Sequence, residues 1–130
     1  MIHGVGTDIV EVERMAERLE RMGERWASRI LTDSEMLTYR SVKTQSHFLA
    51  KRYAAKEAAV KAMGVAFRDG ISLRHLEVKN DDSGKPYLLF SGRALELKNA
   101  LKIGDCHLSL SDEKEYAVAF VVAERQLEKV

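Results

Sequence analysis

Hydrophobic positions change period several times along the chain, and each change marks an element. In Met1 to Val10, Val5 and Ile9 fall on a period of two with His3 and Thr7 between them, which predicts a short strand. Gly4, Gly6 and Asp8 form the other face of that strand. Two glycines leave the face bare, so another backbone or a ligand can come close. From about Ile9 to Trp26 the period becomes helical. Val12, Met15, Leu19, Met22 and Trp26 follow one another at 3-4-3-4 spacing and form a candidate buried stripe. Thr32-Asp-Ser-Glu35 is a capping box that opens a second helix to about Val42, and Lys43 to Ser46 is a polar connector. A central helix is predicted from about His47 to Met63. Its segment Lys51 to Gly64 has five alanines, no proline, and a glycine where a C-cap belongs.

The second half alternates again. After a loop from Gly64 to Gly70, Leu73 to Asn80 reads as a strand, Asp81 to Pro86 as a hairpin turn and Tyr87 to Phe90 as the returning strand. Gly92 to Lys102 reads as a helix with Ala94, Leu97 and Leu101 inward, ended by Gly104. Cys106 to Ser111 and Tyr116 to Ala123 are two further strands joined by Asp112 to Glu115. The last is apolar on both faces, so it is central in its sheet or lies at a subunit interface. Helices and strands in this order predict an α+β fold.

Composition narrows the picture. The 130 residues contain no internal repeat and suit one domain, 1–130, with a real core, and 45% of them are hydrophobic. The net charge of +1 means that any basic surface must come from arrangement rather than overall excess. One cysteine, Cys106, excludes an internal disulfide and fits a reducing compartment, and its apolar context suits a buried thiol. No apolar run approaches the ~18 residues of a membrane span, and the short, quickly acidic N-terminus is unlike a signal peptide. A cytoplasmic location is expected.

Several residues carry candidate chemistry, each with a plainer alternative. Asp8 is either an N-cap for the next helix or a ligand beside the bare glycines. The Gly4-x-Gly6 pair lacks the third glycine of a dinucleotide fingerprint and is discounted as one. On the central helix Tyr53, Glu57 and Lys61 share one face at i, i+4, i+8. They form either an i,i+4 ion pair on a solvated face, or a metal-binding carboxylate with a phosphate-binding ammonium one turn on. Arg14, Arg18, Arg21 and Arg25 form a second stripe at 4-3-4 spacing, with Glu13, Glu17, Glu20 and Glu24 forming a third. The arginines either pair with those glutamates, as Glu17 with Arg21, or are offered to an acidic partner helix or phosphates. His107, Ser109 and Ser111 line one face of the penultimate strand, as a partly exposed polar sheet face or as a row of donors to an anion.

Asp8, Glu57 with Lys61, and His107 with Ser109 all point to phosphate chemistry. Magnesium prefers oxygen ligands and is usually held by one or two carboxylates plus substrate phosphates. Asp8 and Glu57 would supply the carboxylates, and Lys61 would contact the same pyrophosphate as a point charge. The stretches GVGTDIVEVERM (4–15), FLAKRYAAKEAAVKAMG (48–64), NDDSGKPYL (80–88) and HLSLSDEKEYAVAFVV (107–122) together resemble the holo-[acyl-carrier-protein] synthase family. These are the short bacterial 4′-phosphopantetheinyl transferases. The resemblance covers nearly the whole chain in the family's order and spacing, and the pair GxGxD and K-E-A-x-x-K is its specific part.

The resemblance implies a phosphopantetheinyl transferase-like fold, a small antiparallel sheet packed against a long central helix and shorter helices. It implies transfer of phosphopantetheine from coenzyme A to a serine of apo acyl carrier protein, for fatty acid biosynthesis, leaving adenosine 3′,5′-bisphosphate. Asp8 and Glu57 would hold Mg²⁺ against the coenzyme pyrophosphate, and Lys61 would stabilise the same charge. Glu57, or a metal-bound water with Asp8 or Glu57 as acceptor, would take the serine proton. Arg52, His107 and Ser109 would bind coenzyme phosphates along with Lys61, and Gly64 and Pro86 would lie against the nucleotide and pantetheine. Arg14, Arg18, Arg21 and Arg25 would meet the acidic recognition helix of the carrier protein. The family's homotrimer, with sites between adjacent subunits, would apply here. Neither nucleic acid nor membrane is an expected partner. A non-enzymatic module that docks its arginine helix on an acidic protein or nucleic acid would explain the arginines, but not the other three signals together. A magnesium-dependent phosphohydrolase is a further competing class.

Overall fold

The computed structural model describes residues 1–127; residues 128–130, the end of the single unit expected from the sequence, lie outside the described residues. Five strands and five α-helices make an α+β arrangement among these residues, four of the helices following one another after the first strand. β1 (Ile2–Glu11), β5 (Tyr116–Arg125) and β4 (Ile103–Asp112) make an antiparallel sheet in that spatial order, and β2 (Leu76–Asn80) pairs with β3 (Pro86–Phe90) in a separate hairpin. The apolar β5 is thus the central strand, one of the two places its composition allowed.

The long helix α4 (Gln45–Met63) lies across β1 and β5, and α1 (Val12–Met22) packs on α4. The bare face of β1 is what lets α4 come so near. A Cβ placed on Gly4 would run into the Ala62 carbonyl, and one on Gly6 into the Ala58 carbonyl while lying 2.7 Å from the Ala62 nitrogen. Ala58 and Ala62 are themselves small and buried, so backbone meets backbone. The obstacle to a larger residue is therefore main chain that cannot rotate away. Gly6→Ala is expected to lower stability by about 3 kcal/mol, the upper end of the usual overpacking cost, read from the shift of the urea midpoint. A loss below about 1 kcal/mol would mean that α4 does not lie on β1 at that point.

Element boundaries differ from the expected ones in instructive ways. The single helix expected from Ile9 to Trp26 is a strand end followed by two helices. β1 continues to Glu11, α1 ends at Met22, and α2 (Glu24–Ile30) starts after Gly23, whose backbone at φ 65° favours glycine. Met22, at the break, is exposed rather than part of the buried stripe; Val12, Met15 and Trp26 are buried and Leu19 half-buried. α3 (Asp33–Ser41) starts on the expected capping box, with Thr32 and Glu35 each accepting from the other's backbone N–H. The strand expected from Leu73 begins as a short 3₁₀ turn, Leu73–His75, before β2. α5 (Gly92–Ala100) ends before Leu101, which is exposed. Cys106 is half-buried, and burial pushes its thiol up, against Lys98 and with Asp105.

Candidate active site

β1 and α4 supply the centre of the candidate site. Alternation along β1 turns Asp8 to the same side as Gly4, Gly6 and Val10, toward α4. There Lys61 of α4 donates to an Asp8 carboxylate oxygen at 3.1 Å and to the Thr7 carbonyl at 3.0 Å. Asp8 is not a helix cap, since Glu11 occupies the N-cap position of α1. The ion pair within α4 is not formed either. Among the described residues Lys61 pairs with Asp8, and Glu57 has no cation within 4.0 Å. An ammonium has three N–H donors, so Lys61, still half exposed, keeps one beyond its two bonds.

Asp8 and Glu57 line one cavity of about 490 Å³, together with Arg14, Arg18 and Tyr53. Tyr53 lies one turn before Glu57 and is half-buried. Its hydroxyl is pushed up to about 12, first by burial, then by its hydrogen bond to Glu57 and the charges of Glu57 and Asp8, with Arg18 acting the other way. Tyr53 therefore stays a neutral donor beside the Glu57 carboxylate throughout the physiological range. The cavity floor is apolar where Met15, Trp26 and Ile30 close it. The site is acidic at its centre, cationic at its rim and greasy beneath.

Gly23 separates Arg25 on α2 from Arg14, Arg18 and Arg21 on α1, and the cavity divides the stripe at a different point. Arg14 and Arg18 reach the cavity rim, while Arg21 and Arg25 do not. Arg18 also lies over the Trp26 ring, 5.7 Å from its centroid. All four are exposed, and among the described residues none has a carboxylate within 4.0 Å, so the Glu17–Arg21 pairing is absent. Trp26 and Arg29 join the site although they were not marked for it, and Tyr53, expected on the face of Glu57 and Lys61, lines it with Glu57. Arg29 continues the arginine spacing by one more step of four, and that signal was open to reading.

The remaining candidates lie elsewhere in the chain. Arg52 is buried, stacks at 4.5 Å on Phe48, and sits 3.7 Å from Glu35, and its Nε has no hydrogen-bond partner among the described residues. It lines a separate cavity of about 210 Å³ with Lys79 and Asn80. Gly64 is the exposed cap of α4, and Pro86 opens β3 half-buried. His107, Ser109 and Ser111 are exposed on the outer face of the sheet, while Leu108 and Leu110 face inward. The His107 ring approaches Glu124 at 3.3 Å. Register makes the outer face explicit. Val5, Val122 and His107 form one row, Thr7, Phe120 and Ser109 the next, and Ile9, Val118 and Ser111 the third. Asp8 points from the other side of that sheet, so within one chain His107 and Asp8 face opposite ways.

Comparison with known proteins agrees with this architecture. The family model described as the 4′-phosphopantetheinyl transferase superfamily matches residues 4–121. A holo-[acyl-carrier-protein] synthase of Vibrio vulnificus (strain CMCP6) is 53% identical over 123 residues, which are 95% of this chain and 98% of that one. The crystal structure of the holo-[acyl-carrier-protein] synthase from Neisseria meningitidis superposes with a TM-score of 0.89 at 40% identity, covering 96% of this chain and 100% of that one. That of Bacillus anthracis, in complex with coenzyme A (3′,5′-ADP), superposes with a TM-score of 0.79 at 39% identity over 97% of this chain and 99% of the other. The chain belongs to the 4′-phosphopantetheinyl transferase superfamily, among its holo-[acyl-carrier-protein] synthases.

Proposed function

We propose that this enzyme transfers 4′-phosphopantetheine from coenzyme A to a serine of apo acyl carrier protein at the cavity between β1 and α4, in the service of fatty acid biosynthesis. The observation that carries the site assignment is the 3.1 Å contact of Lys61 with Asp8, beside a cavity that Asp8 shares with Glu57. Two carboxylates and an ammonium suit a divalent cation and a pyrophosphate. Among the described residues no cluster of three or more His, Cys, Asp or Glu side chains is arranged for a metal. That donor set fits Mg²⁺, which takes one or two protein carboxylates and fills its shell with water and substrate phosphate oxygens. When bound by Asp8 and Glu57, the metal would polarise the β-phosphoryl group and neutralise charge on the leaving phosphate.

The chain's own residues do the rest. The carrier serine Oγ forms a bond to the β-phosphorus, and the bond from that phosphorus to the departing adenosine 3′,5′-bisphosphate breaks. Lys61 offers its third N–H to the phosphate oxygens that gain charge. Glu57 takes the serine proton directly, or through a water with Asp8 or Glu57 as acceptor. Tyr53 stands beside Glu57 in the cavity as a neutral hydroxyl. Arg52, His107 and Ser109 are assigned with Lys61 to the coenzyme phosphates, and Gly64 and Pro86 to its nucleotide and pantetheine.

Two further readings belong to the same proposal. The whole chain, 1–130, works as one domain in the cytoplasm, where its single free thiol is at home; no helix of the described residues is long and apolar enough to cross a membrane. It assembles as a cyclic homotrimer with a site at each subunit junction. The open outer sheet face, where Val5, Ile9 and Phe120 are about half exposed or more, supports this assembly. So does the placement of His107 on that face, away from Asp8 of its own chain.

Incubating apo carrier protein with coenzyme A and Mg²⁺ tests the function. A mass gain of one phosphopantetheine on the carrier means transferase. Release of phosphate with no mass gain means a phosphohydrolase, and binding without either means a docking module. The arginine stripe is tested separately. If it steers an acidic helix, its contribution is screened over ~8–10 Å at physiological salt. Arg14→Ala and Arg21→Ala are each expected to raise KM for the carrier protein about three- to tenfold, about 0.7–1.4 kcal/mol. KM for coenzyme A should stay nearly unchanged, and the effect should shrink with added salt. Equal effects on both substrates would remove the stripe from carrier recognition.

A further inference from the structure

Outside the cavity, the chain buries a second set of charges, of which only Arg52 has been given a part in the reaction. Lys56, the residue before Glu57, is 0% exposed. Lysine is almost never buried so completely unless paired. Its ammonium donates at 2.6 Å to a Glu35 carboxylate oxygen and at 2.6 Å to the Ile30 carbonyl. Glu35 is 3% exposed and is held in turn. Its Oε1 accepts from the Thr32 N–H at 2.9 Å and its Oε2 from the Val78 N–H at 2.9 Å. Arg52 stands 3.7 Å from the same carboxylate. Through two side chains, α4 is tied to the end of α2, the start of α3 and β2.

We propose that the buried Lys56–Glu35 pair sets the roll of α4 about its own axis, and so positions Glu57 over the site shared with Asp8. The close contact of α4 with β1 fixes distance, and its roll is left to its larger buried side chains and to the directional bonds of Lys61 at one end and Lys56 further back. Ala58 and Ala62 meet Gly6 and Gly4 with no interlocking side chains. Lys56 points about 100° around the helix from Glu57 at 3.6 residues per turn. Two short, directional bonds there act as a stop. A side-chain tip about 6 Å from a helix axis moves by about 1 Å for each 10° of roll. A misplacement of about 1 Å can cost about 100-fold in rate. Stability alone gives little reason for such a pair, because well-packed apolar residues often replace buried ion pairs without loss. Lys56 and Glu35 are positioning residues in this account, and neither lines the catalytic cavity.

The inference rests on the assignment of Asp8 and Glu57 to the metal, and its test separates the two. The double variant Lys56→Met/Glu35→Gln removes both charges at similar volume, and Glu57→Gln is carried beside it. The double variant leaves Arg52 without its carboxylate and turns the glutamine NH2 toward one of the Thr32 and Val78 N–H groups, so it is expected to fold with a lowered Tm and is assayed at 10 °C, below its transition. Its kcat should be about 100-fold lower, and KM for coenzyme A within threefold. Mn²⁺ binding in the presence of adenosine 3′,5′-bisphosphate, followed by water-proton relaxation, should weaken about tenfold. A folded double variant with kcat within threefold of wild type, or with Mn²⁺ binding unchanged, overturns the proposal. So does failure to fold even at 10 °C, since the pair is then needed for the fold itself. Full activity of Glu57→Gln would instead overturn the metal assignment.

Discussion

Glu57→Gln is expected to lower kcat by about 100-fold or more, and chelation by EDTA to abolish wild-type activity until Mg²⁺ is restored. The size follows from what the carboxylate is asked to supply. Stabilising the charge on a transferring phosphoryl group is worth several kcal/mol, and about 2.7 kcal/mol corresponds to 100-fold. Glutamine matches glutamate in volume, and among the described residues Glu57 makes no ion pair that its loss would break. The variant should therefore fold with stability within about 0.5–1 kcal/mol of wild type. Tyr53, a neutral donor, can still bond to the glutamine oxygen. Asp8→Asn is a useful companion. It also breaks the Lys61 contact, but that ammonium is half exposed, so the structural cost stays at about 1 kcal/mol or less. Full activity in EDTA would sink the two-carboxylate assignment, and a loss of activity matched by a loss of folded protein would make Glu57 structural.

The centre of the site was legible because its causes are local. A strand face made of Gly4 and Gly6 followed by Asp8 announces both a close backbone approach and the group displayed beside it. Alternation along β1 is enough to say that all three share a side. β5, apolar on both faces, could be narrowed to a central place or a subunit interface, and the strand order makes it central. The partner of Lys61 was not legible. Spacing within a helix sees Glu57 four residues away, whereas the carboxylate that Lys61 meets comes from β1, 53 residues earlier. Periodicity also concealed the break at Gly23, because the arginines keep a helical spacing straight through it. Only the backbone at one residue, φ 65°, turns one helix into two. Glu35 was legible as half of a capping box, and Lys56 carried no signal of its own. Nothing in their spacing, 21 residues apart, says that both are buried and bonded to each other. Burial on several sides also hides α4 from an amphipathic reading, since apolar and small residues surround it. Its alanines and its terminal glycine betrayed it instead.

The opposed faces of β1 and β4 lead to the second large effect. Asp8 looks toward α4, and His107 looks out from the other side of the same sheet, in a row with Val5 and Val122. If His107 serves the coenzyme phosphates, it must do so for a neighbouring chain whose Asp8 cavity it faces. In a cyclic trimer every interface is heterologous, so each site draws on two chains in a fixed order. Asp8→Ala and His107→Ala, each impaired as a pure trimer, should then rescue one another. Unfolded together in equal amounts and refolded, they mix at random. A working junction takes its metal side from the His107 variant and its histidine side from the Asp8 variant, which happens at about one half times one half, a quarter of junctions. Activity is expected to rise toward about a quarter of wild type, well above the average of the two pure variants. Native mass spectrometry checks that the subunits have exchanged. If exchange is complete and the mixture shows only the average, His107 works within its own chain or takes no part, and the assignment of a site shared between subunits is lost.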